Sequence, residues 1–208
     1  MTQSQQNNDK KLYQTLKAIK KSLLYQPRNI DLIFKKGYVL YLLKKYKTAA
    51  DAFSQALEIK PDFAQAYNAR SIVNHELRKY CDAISDCKKA LNINPSYKEA
   101  FYNLARSQQK LNQLDNAIYN YTQAISLDQK YFNGFLGRAE ALKAQNNHEK
   151  ALNDLSNAAK LNPSSTTALL NRGVILSGLG RFEEAIVDYK KAINLEPNFA
   201  EAHGNLGN

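Results

Sequence analysis

Few residues of this 208-residue chain have the types and spacing that chemistry needs. His75-Glu76 is half of the zinc-binding pattern H-E-x-x-H, which would put two imidazoles on one helix face, but Lys79 stands where the second His belongs. "GLGRF", Gly178 to Phe182, suggests a phosphate loop. It lacks the third glycine of a dinucleotide fingerprint and has no Lys-Ser/Thr, so a turn between helices accounts for it better. Cys81 and Cys87 lack metal-ligand spacing. No Ser-His-Asp or Cys-His set is spaced to cooperate. The expectation is a chain with no catalytic residue, no metal and no cofactor, so its function must lie in surfaces.

Composition narrows this further. The chain is 44% hydrophobic, with 8 Gly and 5 Pro, which is ample for a folded protein. No apolar run approaches the roughly 18 residues of a membrane span, so no membrane insertion is expected. The N-terminus "MTQSQQNNDKK" has no hydrophobic stretch of the kind a signal peptide needs, which points to the cytoplasm or the nucleus. The net charge is +10, and residues 1–60 hold 12 Lys and Arg against 4 Asp and Glu. That end could attract acidic partners or RNA, although lysines snorkelling over a solvated helix face explain it equally simply and disfavour nucleic acid.

What organises the chain is a period. All five prolines, Pro27, Pro61, Pro95, Pro163 and Pro197, share one phase of 34 residues, with Gln129 in the vacant place. Units starting at Ile30, Ala64, Lys98, Phe132 and Thr166 align. One column is small throughout (Gly37, Ser71, Ala105, Ala139, Gly173), and two others are Ala in every unit, beginning at Ala49 and Ala56. Large residues fill the places between, including Phe53, Cys87, Tyr121, Leu155 and Tyr189. Small residues let helices approach closely and bulky ones fill the gaps between ridges, so each unit reads as two antiparallel helices closed by proline. One pair cannot bury its own apolar face, and the units must stack. His148 and His203 fall in columns otherwise held by large apolar residues, so packing is expected of both.

This pattern, as in "KKGYVLYLLKKYKTAADAFSQALEIKP" and "NRGVILSGLGRFEEAIVDYKKAINLEP", resembles the tetratricopeptide repeat (TPR) family over residues 10–208. The resemblance implies an all-α, right-handed superhelical solenoid of antiparallel helix pairs. Its expected parts are a disordered 1–8, a capping half-repeat at 10–26 with Thr15 and Ser22 in the Ala columns, and repeats at 30–63, 64–97, 98–131, 132–165 and 166–199. A further repeat begins at 200–208 and breaks off, as if the chain were cut from a longer protein.

The family's first helices line a concave groove for peptides or partner helices. Carried over, that groove comprises Phe34, Lys35, Tyr38 and Tyr41; Gln65, Asn68 and Ile72; Tyr102, Asn103 and Arg106; Leu170, Asn171 and Val174; and Asn205. Asn103, Asn171 and Asn205 share a register resembling the asparagine ladder of the O-linked N-acetylglucosamine transferase. Phe34, Tyr38 and Tyr41, spaced by four and three, lie on one helix face among Lys35, Lys36, Lys44, Lys45 and Lys47. That surface suits a protein or peptide with apolar anchors among acidic residues, unless the rings pack against the capping helix instead. The implied function is a non-catalytic interaction scaffold; the alternatives are the substrate-recruiting part of a larger, transferase-like enzyme and an RNA-binding helical repeat. The acidic tails of heat-shock chaperones are not expected to bind. The corresponding places hold Phe34, Tyr38, Ala69, Glu99 and Asn103, and Glu99 would repel a carboxylate.

Overall fold

The computed structural model describes residues 3–207, and all regular structure among them is α-helical. The helices divide between two units, Met1–Leu111 and Asn112–Asn208. The first holds α1 (Gln3–Tyr25), α2 (Ile30–Leu42), α3 (Tyr46–Ile59), α4 (Ala64–Glu76), α5 (Tyr80–Ile93) and α6 (Lys98–Lys110). The second holds α7 (Leu114–Leu127), α8 (Phe132–Ala144), α9 (His148–Leu161), α10 (Thr166–Gly178), α11 (Phe182–Leu195) and α12 (Ala200–Gly207). Within each unit, every helix packs on the next in sequence, and in the first unit α4 also packs on α2 and α6.

The sequence explains where the helices stop. Each proline lies two residues beyond a helix, after a C-cap such as Lys60, Asn94, Asn162 or Glu196. The turn at Gln129 closes without proline because the Asp128 carboxylate accepts the Lys130 N–H at 2.9 Å, as Asn94 does for Ser96 and Asn162 for Ser164. The short turns after α2, α4, α6, α8 and α10 use a residue with positive φ: Lys44, Arg78, Asn112, Asn146 and Gly180. The following N–H then reaches back five residues, as Lys45 N–H does to Leu40 O at 2.9 Å, in the manner of a Schellman cap. "GLGRF" is such a turn, with Gly180 supplying the left-handed residue.

The small and large columns meet in the core. A Cβ on Gly37 would lie 2.6 Å from the Phe53 ring, and one on Gly173 would lie 2.6 Å from Tyr189, so glycine lets α2 and α10 sit against those rings. Ala49, Ala56, Ala83, Ala90, Ala117, Ala124, Ala151, Ala158 and Ala192 are fully buried. Cys87 is buried in its column, where desolvation pushes its thiol up to about 12.

Two expectations are corrected at the N-terminus. Residues 3–8 are helical rather than disordered, while Met1 and Thr2 lie outside the described residues. No Gly or Pro stands between them and the packed part of α1, so helix propagates outward from a turn already nucleated. The packing face of α1 is also one residue off the expected register. Leu16 and Ile19 are buried with Val39, Leu40 and Phe53, and Leu12 and Leu23 pack beside them, whereas Thr15 and Ser22 are exposed. With a leucine stripe available, burial follows the apolar residues and leaves the hydroxyls in water.

Candidate functional site: an aromatic cavity on the first helices

In the first unit, α2 and α4 present parallel stripes. Phe34, Tyr38 and Tyr41 of α2 face Gln65, Asn68, Ala69 and Ile72 of α4, each set spaced by helical turns. Phe53 of α3 and Tyr97, the residue before α6, complete a cavity of about 250 Å³. Phe34 is half-buried, its ring 5.4 Å from Phe53 and 5.0 Å from Phe63. Tyr38, by contrast, is 53% exposed, with its ring 6.4 Å from Tyr41. Tyr41 is half-buried beside the hydrophobic cluster that α1 joins, and burial, followed by the nearby Glu76 charge, raises its phenol above the usual range. The structure therefore brings the three aromatic residues onto one cavity, with Phe34 as wall and Tyr38 as lip.

The polar side of the cavity is a relay. Asn103 Nδ2 donates to Asn68 Oδ1 at 2.9 Å, and Asn68 Nδ2 donates to the Tyr97 hydroxyl at 3.2 Å. Both asparagines are buried, at 6% and 7% exposure. Burial raises the Tyr97 phenol, so it is a neutral hydroxyl at any ordinary pH. Lys35 is exposed on α2 outside the lining, Lys60 Nζ lies 5.5 Å over the Phe63 ring, Arg106 stands over Tyr102 and 3.9 Å from Glu76, and the Glu99 charge acts on Tyr97. Nearby His75 is buried, its Nδ1 3.1 Å from Ser107 Oγ, and desolvation depresses it to about 4. It is a neutral core imidazole rather than a metal ligand.

The remaining expected site residues lie in the second unit. Asn171 is half-buried on α10, Val174 is 37% exposed, and Asn205 is half-buried on α12. Leu170 is not surface lining. It is 7% exposed, within a core cluster that also holds Leu176 and Ala202, because Phe199, just before α12, and Leu206 of α12 join the same apolar packing. Of the two histidines expected to pack, His203 departs from expectation. His203 is exposed, with its Nε2 2.9 Å from Pro197 O, while half-buried His148 has a buried Nδ1 with no hydrogen-bond partner.

The structure adds one further feature. Arg70, Arg138 and Arg172 each grip an aspartate sixteen residues on, respectively Asp86, Asp154 and Asp188, through Nε and Nη2 at 2.6–2.9 Å. The third guanidinium nitrogen reaches a hydroxyl sixteen residues back, on Ser54, Thr122 or Ser156. All three sets share the 34-residue phase, which was their visible signal. They tie consecutive pairs together. A cavity of about 450 Å³ beside Arg172 and Arg181 in the second unit offers a ligand little charge, since these arginines already pair with Asp188 and Glu184.

Comparison with known proteins agrees with this architecture. One TPR repeat model matches residues 37–77 and 178–208, and a tetratricopeptide repeat model matches residues 98–131, together about half of the chain. The chain belongs to the tetratricopeptide repeat family. No curated protein matches it in sequence. Among solved structures, it resembles YrrB, described as a TPR protein with an unusual peptide-binding site, at 21% identity over 90% of this chain and 96% of that one, with a TM-score of 0.70. MamA from Desulfovibrio magneticus RS-1 (residues 41 to the end) is 15% identical over 82% and 97% of the two chains, with a TM-score of 0.74. The Cut9–Hcn1 structure of the APC/C is 13% identical and covers 95% of this TPR chain and 39% of its own, with a TM-score of 0.81. At these identities the likeness is one of fold. Among the described residues, no helix is long and apolar enough to cross a membrane, and no group of three or more His, Cys, Asp or Glu could hold a metal.

Proposed function

We propose that this TPR chain is a protein-interaction scaffold without catalysis of its own, which binds a peptide or partner helix at the first-helix face of α2 and α4. The observation that carries the reading is Tyr38, a large aromatic side chain that is 53% exposed at the lip of an apolar cavity. An exposed ring beside an apolar recess is the arrangement in which a partner's side chain gains most on docking. The peptide-binding site attributed to YrrB, on a similar fold, supports the same reading. In the second unit, Asn171, Val174 and Asn205 are the residues on which the same role would fall, and Leu170 is excluded by its burial.

The test is selection of displayed twelve-residue peptides on the immobilised chain, followed by affinity measurement on Tyr38→Ala. The expected result is a set of binders that lose about tenfold or more in affinity on Tyr38→Ala, with thermal unfolding unchanged. A variant that unfolds, or one that keeps full affinity for every selected peptide, would overturn this site.

A further inference from the structure

The cavity specifies more than an apolar occupant. Its volume of about 250 Å³ is below the roughly 300–1,000 Å³ of sites that enclose a whole small ligand, so it fits one large side chain and the backbone beside it. Asn68 is engaged at both ends, donating to Tyr97 and accepting from Asn103. The Tyr97 hydroxyl has thus received one hydrogen bond, which leaves its own proton to donate. It stands on the wall of the cavity, anchored by two buried asparagines rather than swinging on a solvated stem.

We propose that Tyr97 is the polar recognition element of this cavity: its hydroxyl donates to a backbone carbonyl oxygen of a bound peptide, next to a large aliphatic or aromatic side chain that fills the recess between Tyr38 and Ile72. Asn68 and Asn103 are positioning residues that hold the hydroxyl with its proton free. Near the recess Arg106 is paired with Glu76, and Glu99 acts on Tyr97, so the local charges roughly balance; the excess of twelve Lys and Arg over four Asp and Glu in residues 1–60 is what favours acidic residues on either side of the anchor. The inference rests on the binding reading above and adds the hydrogen bond and the anchor to it.

The probe is the acetylated, amidated pentapeptide Glu-Glu-Leu-Glu-Glu, titrated into the isotope-labelled chain by NMR. A second copy has the leucine carbonyl replaced by an alkene, which keeps the shape and removes the acceptor. The expected result is that Tyr97→Phe weakens the amide peptide about tenfold, the size of one hydrogen bond of about 1.4 kcal/mol, and leaves the alkene peptide unchanged. Asn68→Ala should show the same selective loss, and it carries the test if Tyr97→Phe does not fold. If Tyr97→Phe and Asn68→Ala weaken both peptides equally, or neither, while Tyr38→Ala still lowers affinity, the donor role is overturned and the binding face stands. If neither peptide shifts the signals of α2 and α4 and Tyr38→Ala changes nothing, both readings fall. A matched peptide ending at the leucine with a free carboxylate distinguishes a chain end from an internal carbonyl; tighter binding of that peptide would overturn the internal-carbonyl assignment.

Discussion

The buried arginine–aspartate pairs give the sharpest stability prediction, because the chain contains its own control. One repeat earlier than Arg138 and Asp154, the same two places hold Leu104 and Asn120, and one more comparison comes from the first repeat, with Lys36 and Ala52. Both members of the pair change together. Asp154 is 2% exposed, whereas the Arg138 side chain is 20% exposed. Arg138→Leu therefore strands a carboxylate that water cannot reach, which should cost about 3–5 kcal/mol. Asp154→Asn leaves a guanidinium that can turn partly to solvent and keeps a neutral acceptor of the same shape. It should cost about 1.5–3 kcal/mol. The double variant recreates the Leu104–Asn120 arrangement and should fall within about 1.5 kcal/mol of wild type, a coupling of roughly 3 kcal/mol or more. Urea unfolding followed by circular dichroism reads this as midpoint shifts, about 1–2 M for Arg138→Leu at typical slopes. Additive losses in the double variant, or equal losses in the two single variants, would refute the reasoning.

Three further outcomes follow from the same geometry. Gly37→Ala should lose about 1–3 kcal/mol in urea unfolding, since the new Cβ meets Phe53 at 2.6 Å, whereas Gly178→Ala, with nothing within 4 Å, should be neutral or slightly stabilising; equal midpoints would contradict the packing. His75, depressed from 6.5 to about 4, stays neutral in the fold while the unfolded chain takes up a proton. Stability should thus fall as pH drops from about 6.5 towards 4, and His75→Gln should flatten that slope above about pH 5, before the carboxylates titrate; an unchanged slope would show that His75 is not its source. Finally, calorimetry with acidic heat-shock chaperone tail peptides should show no specific binding, because Phe34 and Tyr38 stand where polar groups would clamp the tail's terminal carboxylate and Glu99 would repel it. A dissociation constant of about 10 μM or tighter would disprove this.

How much of this was legible in the sequence depends on the range of the interaction. Pro61, Pro95 and Pro197 mark helix ends because proline's effect is local, and the Gly37 and Ala49 columns mark contacts because the period repeats them. Phe34, Tyr38 and Tyr41 could be placed on one face from spacing alone. Tyr97 could not. It enters the cavity from the turn before α6, and only packing of α6 on α4 brings it to Asn68. Leu170 was misplaced for a related reason: periodicity assigns a face, but whether that face is covered depends on what α12 contributes to the cluster. The α1 register failed because a half-unit supplies too few columns to fix its phase, and there the leucine stripe is the better guide.

On the reading proposed above, partners bind on the first-helix face around the α2–α4 cavity. The most direct test of this is the map of backbone amide shifts in the isotope-labelled chain as a selected peptide is added. The largest shifts should fall on Phe34, Tyr38, Tyr41, Gln65, Asn68 and Tyr97, with the surfaces of α3 and α5 unmoved. Shifts concentrated instead around Arg70, Asp86 and the outer face of α5, with Tyr38 and Asn68 silent, would contradict it.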